Sequence, residues 1–173
     1  DNWGTALTVG WQLNDAWLFK SITAYRSLEP DNYVDIDASI YELGDVFVGV
    51  DQDQTSQEFQ LLYSSDRLEA VMGLYYFGED IKSDQIAWAD DFLRLGALPI
   101  TFTRTVNDEL NTDSYAAFGQ ATWSFTDRFS GTLGIRYTDE SKDYFRTTST
   151  FYGAPLSSFN STFDYKDDES WSA

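Results

Sequence analysis

Bulky apolar residues alternate with small or polar ones through residues 3–13. Trp3, Thr5, Leu7, Val9, Trp11 and Leu13 share one parity, and Gly4, Ala6, Thr8, Gly10 and Gln12 share the other. A period of two with unlike faces predicts a strand lying between two different surroundings. Its length matches the roughly 9–11 residues that a tilted strand needs to cross a bilayer.

The pattern recurs. Residues 17–27 form a less regular strand, in which Leu18, Ile22 and Ala24 share a parity with Lys20 and Arg26, so its faces stay unassigned. Residues 54–63 set Thr55, Gln57, Phe59, Leu61 and Tyr63 against Gln54, Ser56, Glu58 and Gln60. In residues 68–78, Ala70, Met72, Leu74 and Tyr76 form the apolar face, because Glu69 and Glu79 share the opposite parity. Residues 113–125 place Tyr115, Ala117, Gly119, Ala121, Trp123 and Phe125 on one side. Residues 129–138 do the same with Phe129, Gly131, Leu133, Ile135 and Tyr137. A seventh strand is predicted to begin near Ser170.

Short turns at Asn14 and Asp15, at 64–67 and at 126–128 alternate with long connections at about 28–54, 78–112 and 139–170. Such strict alternation suits hairpins with one end in the periplasm and the other outside the cell. Connections in compact soluble domains are typically only about 4–6 residues. The predicted fold is therefore all-β: an antiparallel, up-and-down transmembrane β-barrel segment of about six to seven strands, with short periplasmic turns and long extracellular loops. So few strands do not close, and an open sheet in lipid leaves backbone groups unsatisfied at both edges. Residues 1–173 are accordingly expected to be a partial barrel domain, starting and stopping within the strand pattern, with further strands outside them.

Composition narrows the function. The net charge is −18, and the three long connections carry 22 of the 29 acidic residues. An acidic surface repels phosphate backbones, which argues against nucleic acid and disfavours a free polyanion near those connections. There is no histidine and no cysteine. Serine-hydrolase triads, common zinc sites and disulfides are thus not to be built from these residues. The 17% aromatic content, clustered near strand ends, fits interfacial girdles.

Acids at Asp31, Asp35, Asp37 and Glu42, and at Asp51 and Asp53, have oxygen-rich spacing but no EF-hand pattern, so solvated charge is the default reading. Nothing sets the carboxylate separation that glycoside hydrolysis requires, and no enzymatic activity, cofactor or metal is expected. Aromatic residues in the polar connections are the better ligand contacts, since exposed rings stack on sugars or aromatic chelators at low entropic cost. The candidates are Tyr33, Tyr41, Trp88, Phe92, Phe151 and Tyr152. Arg136 and Glu58 belong to the faces expected to look into the lumen.

Five strings then carry a resemblance. They are residues 21–26 (SITAYR), 57–61 (QEFQL), 73–77 (GLYYF), 115–120 (YAAFGQ) and 134–137 (GIRY). In this order and spacing they resemble the TonB-dependent receptor family, over nearly all the strands and essentially none of the loops. The resemblance implies a Gram-negative outer-membrane barrel of 22 strands with an N-terminal plug and a segment that engages TonB. It also implies import of a scarce nutrient, with a ferric siderophore first, then cobalamin or oligosaccharide, driven by the inner-membrane proton gradient. Lipid and lipopolysaccharide, TonB and a small nutrient are the implied partners. No gating residue of the family has a counterpart here. Two rival readings are a non-transporting surface barrel or adhesin, and a soluble β-sandwich that binds carbohydrate.

Overall fold

The computed structural model describes residues 1–91, 95–96, 101–152 and 159–172, with Tyr152 and 159–172 described by their backbone. The strands are β1 (Asn2–Gln12), β2 (Trp17–Leu28), β3 (Asp31–Asp35), β4 (Asp45–Ser64), β5 (Leu68–Ala89), β6 (Phe102–Thr126), β7 (Phe129–Tyr152) and β8 (Phe159–Ser172). They form one open antiparallel sheet in the order β1-β2-β4-β5-β6-β7-β8, with β3 also paired to β4. The up-and-down wall is as expected. Among the described residues, no helix is long and apolar enough to cross a membrane.

The strands run much further than a bilayer requires. β6 has 25 residues and β7 has 24. The connections expected at 28–54, 78–112 and 139–170 are for most of their length continuations of the hairpins. β3 extends the line of β2, since Leu28 lies opposite Gln52 and Asp31 opposite Gly49 on the same strand. Pro30, which has no N–H to give, sits at the interruption, and its carbonyl accepts the Val50 N–H at 3.1 Å.

Directly opposed residues share a face, so the register carries one face across the whole sheet. Trp11 pairs with Phe19, Phe19 with Leu61, Leu61 with Met72, Met72 with Gly119 and Gly119 with Ile135. Pairing with β1 assigns the faces of β2. Trp17, Phe19, Ser21, Thr23 and Tyr25 lie on the face of Trp3 and Leu7, here the outer face; Lys20, Ile22 and Arg26 lie on the inner one. Leu133 is 81% exposed and Leu7 64%, so the large apolar residues of the outer face are not covered by any second layer of the described chain. Along β6, exposed outer residues alternate with buried or half-buried inner ones, as in a sheet curled about its inner side.

Ring pairs mark two levels on the outer face. Near the short turns, Trp17 and Tyr63 are 4.8 Å apart and Phe125 and Phe129 5.4 Å. Eight positions beyond Trp17, Tyr25 packs on Trp3 at 5.1 Å, and ten positions from Phe125, Tyr115 packs on Tyr76 at 5.0 Å. At about 3.3 Å per residue and a tilt near 40°, eight positions rise about 20 Å, close to the ~25 Å apolar band of such walls. The polar outer residues between the two levels serve one another. Thr23 Oγ1 donates to Gln57 Oε1 at 2.5 Å, and Gln57 Nε2 donates to Ser21 Oγ at 3.0 Å. Mutual hydrogen bonds offset the cost of placing these groups in hydrocarbon.

Candidate functional site

Polarity exchanges sides at the upper ring of aromatics. Below it, the outer face is mostly apolar and the inner face carries Thr8, Gln54, Ser56, Glu58 and Gln60. Above it, the outer face gains Asp51, Asp53, Asp80, Asp84, Glu109 and Asp113 beside Phe47, Ile86 and Trp88, and the inner face gains Val46, Val48, Val50, Ile81, Val106 and Leu110 beside Glu79, Gln85, Arg104 and Asp108. Two tyrosines straddle the boundary: the Tyr76 hydroxyl donates to Asp113 Oδ1 at 3.0 Å, and the Tyr25 hydroxyl donates to Asp53. Each places its ring among apolar neighbours and its hydroxyl toward a carboxylate, as an interfacial tyrosine does.

Most acids of these connections therefore point away from the lumen, whereas Glu79, Asp108 and Glu140 lie on the inner side. Inner positions hold Lys20, Arg26, Arg104, Arg136, Lys142 and Arg146, more than half of the eleven basic residues. Inner acids accompany them at Glu58, Glu69, Glu79, Asp108 and Glu140, because an alternating strand sends neighbouring charges to opposite sides. Only the register reveals which side.

Above the membrane, the inner wall of β6 and β7 is organised around Asp108. Arg146 donates to it twice, Nε to Oδ1 at 2.5 Å and Nη2 to Oδ2 at 2.8 Å, and the Tyr144 hydroxyl donates to Oδ1 at 2.7 Å. Gln85 Nε2 adds a longer contact at 3.4 Å, which ties in β5. Hydrogen bonding from Arg146 holds the Asp108 carboxyl below its usual range. Arg146 is correspondingly raised, with the Asp108 hydrogen bond as the main cause. Planar two-point pairing of this kind fixes geometry as well as charge.

At membrane depth, the Arg136 guanidinium lies 5.6 Å from the Tyr75 ring centre and 5.9 Å from that of Phe118, on the inner face as expected. Its Nε donates to Thr138 Oγ1 at 3.1 Å. Glu58 is also on the inner face, where it accepts from Gln60 Nε2 at 2.6 Å rather than from a base.

The aromatic candidates separate by face. Tyr33 and Trp88 come together, their rings 5.9 Å apart, but on the outer side. There the Tyr33 hydroxyl donates to Asp45 at 2.7 Å, and that hydrogen bond pushes its pKa up to about 12. Phe151 lies on the outer face opposite Thr103. Tyr152 pairs with Phe102 at an inner position, and its side chain lies outside the described residues, as does Phe92 altogether. Tyr41 stands at the tip between β3 and β4, its N–H donating to Ser39 Oγ at 3.0 Å.

That tip is tied by its acids. Asp35 accepts from the Ala38 amide at 2.8 Å, and Asp37 accepts from the amides of Ser39 at 3.0 Å and Leu43 at 3.1 Å. Hydrogen bonding, from Ser39 first, lowers the Asp37 pKa. Glu42 and Asp91 exchange bonds between neighbouring hairpins, since the Glu42 N–H donates to Asp91 Oδ2 and the Asp91 N–H to the Glu42 carbonyl, each at 3.1 Å. The acids at Asp35 and Asp37 thus shape a turn. Sequence reasoning missed Arg104, Asp108, Tyr144 and Arg146. The signal was there: alternation continues through 102–112, where Val106 and Leu110 share one parity and Asn107, Glu109 and Asn111 the other.

Comparison with known proteins follows the same lines. The family model described as TonB dependent receptor-like, beta-barrel, matches residues 1–173. Among solved structures, the ferric yersiniabactin uptake receptor FyuA from Yersinia pestis aligns with 96% of this chain at 17% identity, with a TM-score of 0.64. The chain spans 24% of that protein's length, and the likeness is one of fold. CarO from Acinetobacter baumannii aligns with 92% of this chain and 78% of its own at 12% identity, and its TM-score of 0.30 carries no argument. No curated protein gives a significant match.

Proposed function

This chain belongs to the TonB-dependent receptor β-barrel family of Gram-negative outer membranes, and from that membership we propose that it forms part of the wall of a transporter importing a scarce nutrient, a ferric siderophore in the first place. The residues between the two aromatic levels are the lipid-facing wall. The extensions above them are part of an extracellular vestibule in which the ligand is captured. TonB acts through the plug, a part of the receptor other than this wall, and its pull releases the captured ligand inward. The chain's own role is capture and containment, not catalysis.

One observation carries the reading: the exchange of polarity at the level of Tyr25, Tyr76 and Tyr115. A wall in lipid is apolar outside and polar inside, whereas a wall enclosing a ligand above the lipid has no need of an apolar exterior. Tyr41 at the first hairpin tip and Tyr152 at an inner register position are the aromatic candidates left for ligand contact. Tyr33, Trp88 and Phe151 turn to the outer side. The FyuA likeness in fold puts ferric chelates first among nutrients to test.

The test is uptake of iron-55 supplied as single ferric siderophores, in cells with and without the gene. Uptake that needs the gene, TonB and the proton gradient supports the reading. If no ferric siderophore, cobalamin or oligosaccharide depends on the gene for entry, nutrient import is wrong.

A further inference from the structure

Two adjacent rows of inner positions lie above the upper aromatic level. One row runs Val46, Ala87, Arg104, Thr150; the next runs Val48, Gln85, Val106, Thr148. With strands about 4.8 Å apart, each row is about 15 Å long. Three observations meet here. The aliphatic side chains Val46, Val48, Ala87 and Val106 are half-buried on the inner side, not on the outer side where lower down apolar residues meet lipid. Arg104 is exposed at the end of this patch and forms no ion pair with an acid among the described residues, whereas Arg146 is locked to Asp108 and Lys142 to Glu140. Thr150, directly opposite Arg104, is 2% exposed, and its Oγ1 has no hydrogen-bond partner.

A buried hydroxyl without a partner is costly, and so is apolar surface left facing water. A ligand with an apolar body and an anionic end answers both. We infer that this patch is a ligand-contact surface selective for amphipathic anions: the apolar body lies on Val46, Val48, Ala87 and Val106, and a carboxylate or similar group reaches Arg104, with the Thr150 hydroxyl beside it. Applied to the proposed cargo, on which the inference rests for the wall being a vestibule, it names a class: chelates that keep a free acid group and a largely apolar exterior. Arg104 sets the preference for charge, and the valines set the preference for an apolar body. The acids on the other side of these strands keep that preference from being cancelled, since they face away from the bound ligand.

The test uses the full-length receptor in lipid nanodiscs with two probes, dansylglycine, which has an apolar ring and a free carboxylate, and dansylamide, which has the same ring and no charge. Binding to empty nanodiscs is subtracted, and barrel integrity is checked by heat-modifiable migration. The acid is expected to bind about tenfold more tightly than the amide, the scale of one charge-assisted hydrogen bond. Arg104→Gln should abolish that preference, Arg104→Lys should retain most of it, and Val48→Asn should weaken both probes several-fold. Equal binding of the two probes, or a preference that survives Arg104→Gln, overturns the inference. So does a Val48→Asn receptor that loses stability but binds as before, which would mean the valines pack against another part of the receptor. These are equilibrium measurements that need no TonB. Failure here leaves siderophore uptake standing, and a gene that proves dispensable for uptake leaves this binding result standing.

Discussion

The ring of Phe118 lies across Gly73 on the neighbouring strand. A Cβ built on Gly73 would stand 2.5 Å from the Phe118 Cζ and 2.6 Å from the Phe59 carbonyl oxygen. The ring fills the space a side chain would take, and the Arg136 guanidinium is 5.9 Å from its centre. Glycine is required here by crowding, since the backbone carbonyl cannot swing away as a side chain might be displaced. Gly73→Ala should therefore cost about 1–3 kcal/mol, the usual range for overpacking. Adding Phe118→Leu should recover only part of it. Urea unfolding of the reconstituted receptor measures both, and an alanine variant as stable as the parent would contradict the packing described.

Asp108 makes the upper wall sensitive to acid. Its folded pKa lies below the ordinary 3.8. The Arg146 pair therefore contributes fully above that ordinary value and is lost as pH falls through the lower, folded one. Arg146 is partly exposed at 43%, and screening holds the contribution to about 1 kcal/mol. Limited proteolysis of the extracellular extensions at pH 7 and below pH 4 should show faster cleavage of β6 and β7 in acid. Asp108→Asn should cleave faster already at pH 7 and change little on acidification.

Tyr33 responds in the opposite direction. Its folded pKa is raised to about 12, so its bond to Asp45 is intact below the ordinary tyrosine range and is lost as pH rises toward 12. Asp45 is 3% exposed, and Tyr33→Phe leaves that carboxylate without its hydroxyl donor. Trp88 reports locally, being 5.9 Å from the Tyr33 ring. Its emission, isolated by difference against Trp88→Phe, should shift to the red in Tyr33→Phe at neutral pH. An unshifted spectrum would mean that the pair does not hold the hairpin.

The two faces should tolerate charge unequally. Leu133 is 81% exposed on the outer face, midway between the aromatic levels, and Gln120 is on the inner face of the adjacent strand. Leu133→Arg should cost about 2–4 kcal/mol in folding into bilayers, the scale for a base at the midplane. Gln120→Arg should stay within about 0.5 kcal/mol. Similar costs at both sites would mean that the faces are misassigned.

Much of the wall was legible in the sequence because lipid leaves a simple trace. Between the aromatic levels, every second residue is mostly apolar, and Trp3 through Leu13 or Phe129 through Tyr137 show it without ambiguity. Residues 17–27 do not, because Ser21 and Thr23 face outward and satisfy their hydrogen bonds through Gln57, 36 and 34 residues away in sequence. The upper wall looks like loop in the sequence for a related reason. Val46, Val48 and Val50 alternate with Asp45, Phe47, Gly49 and Asp51 as regularly as any membrane strand, but with the acids on the outer side. A search for apolar exteriors stops where the lipid stops. The same holds for Tyr33 and Trp88: their setting is polar in sequence, and the parity that sends them outward is fixed only by the pairing of β3 with β4 and of β4 with β5.

The central claim is that the outer face meets hydrocarbon up to the level of Tyr25, Tyr76 and Tyr115 and water above it. With no cysteine in these residues, single nitroxide-labelled cysteines placed in the reconstituted receptor test it directly by their relaxation with oxygen, which concentrates in lipid, and with a water-soluble nickel chelate. Labels at Met72, Leu74, Leu133 and Ile135 should respond to oxygen and not to nickel, labels at Ser56, Gln120 and Thr132 should respond to nickel, and labels at Asp84 and Glu109 should respond to nickel although they share the outer face. Nickel access at Leu74 and Leu133 equal to that at Gln120, or oxygen-dominated relaxation at Asp84, would contradict it.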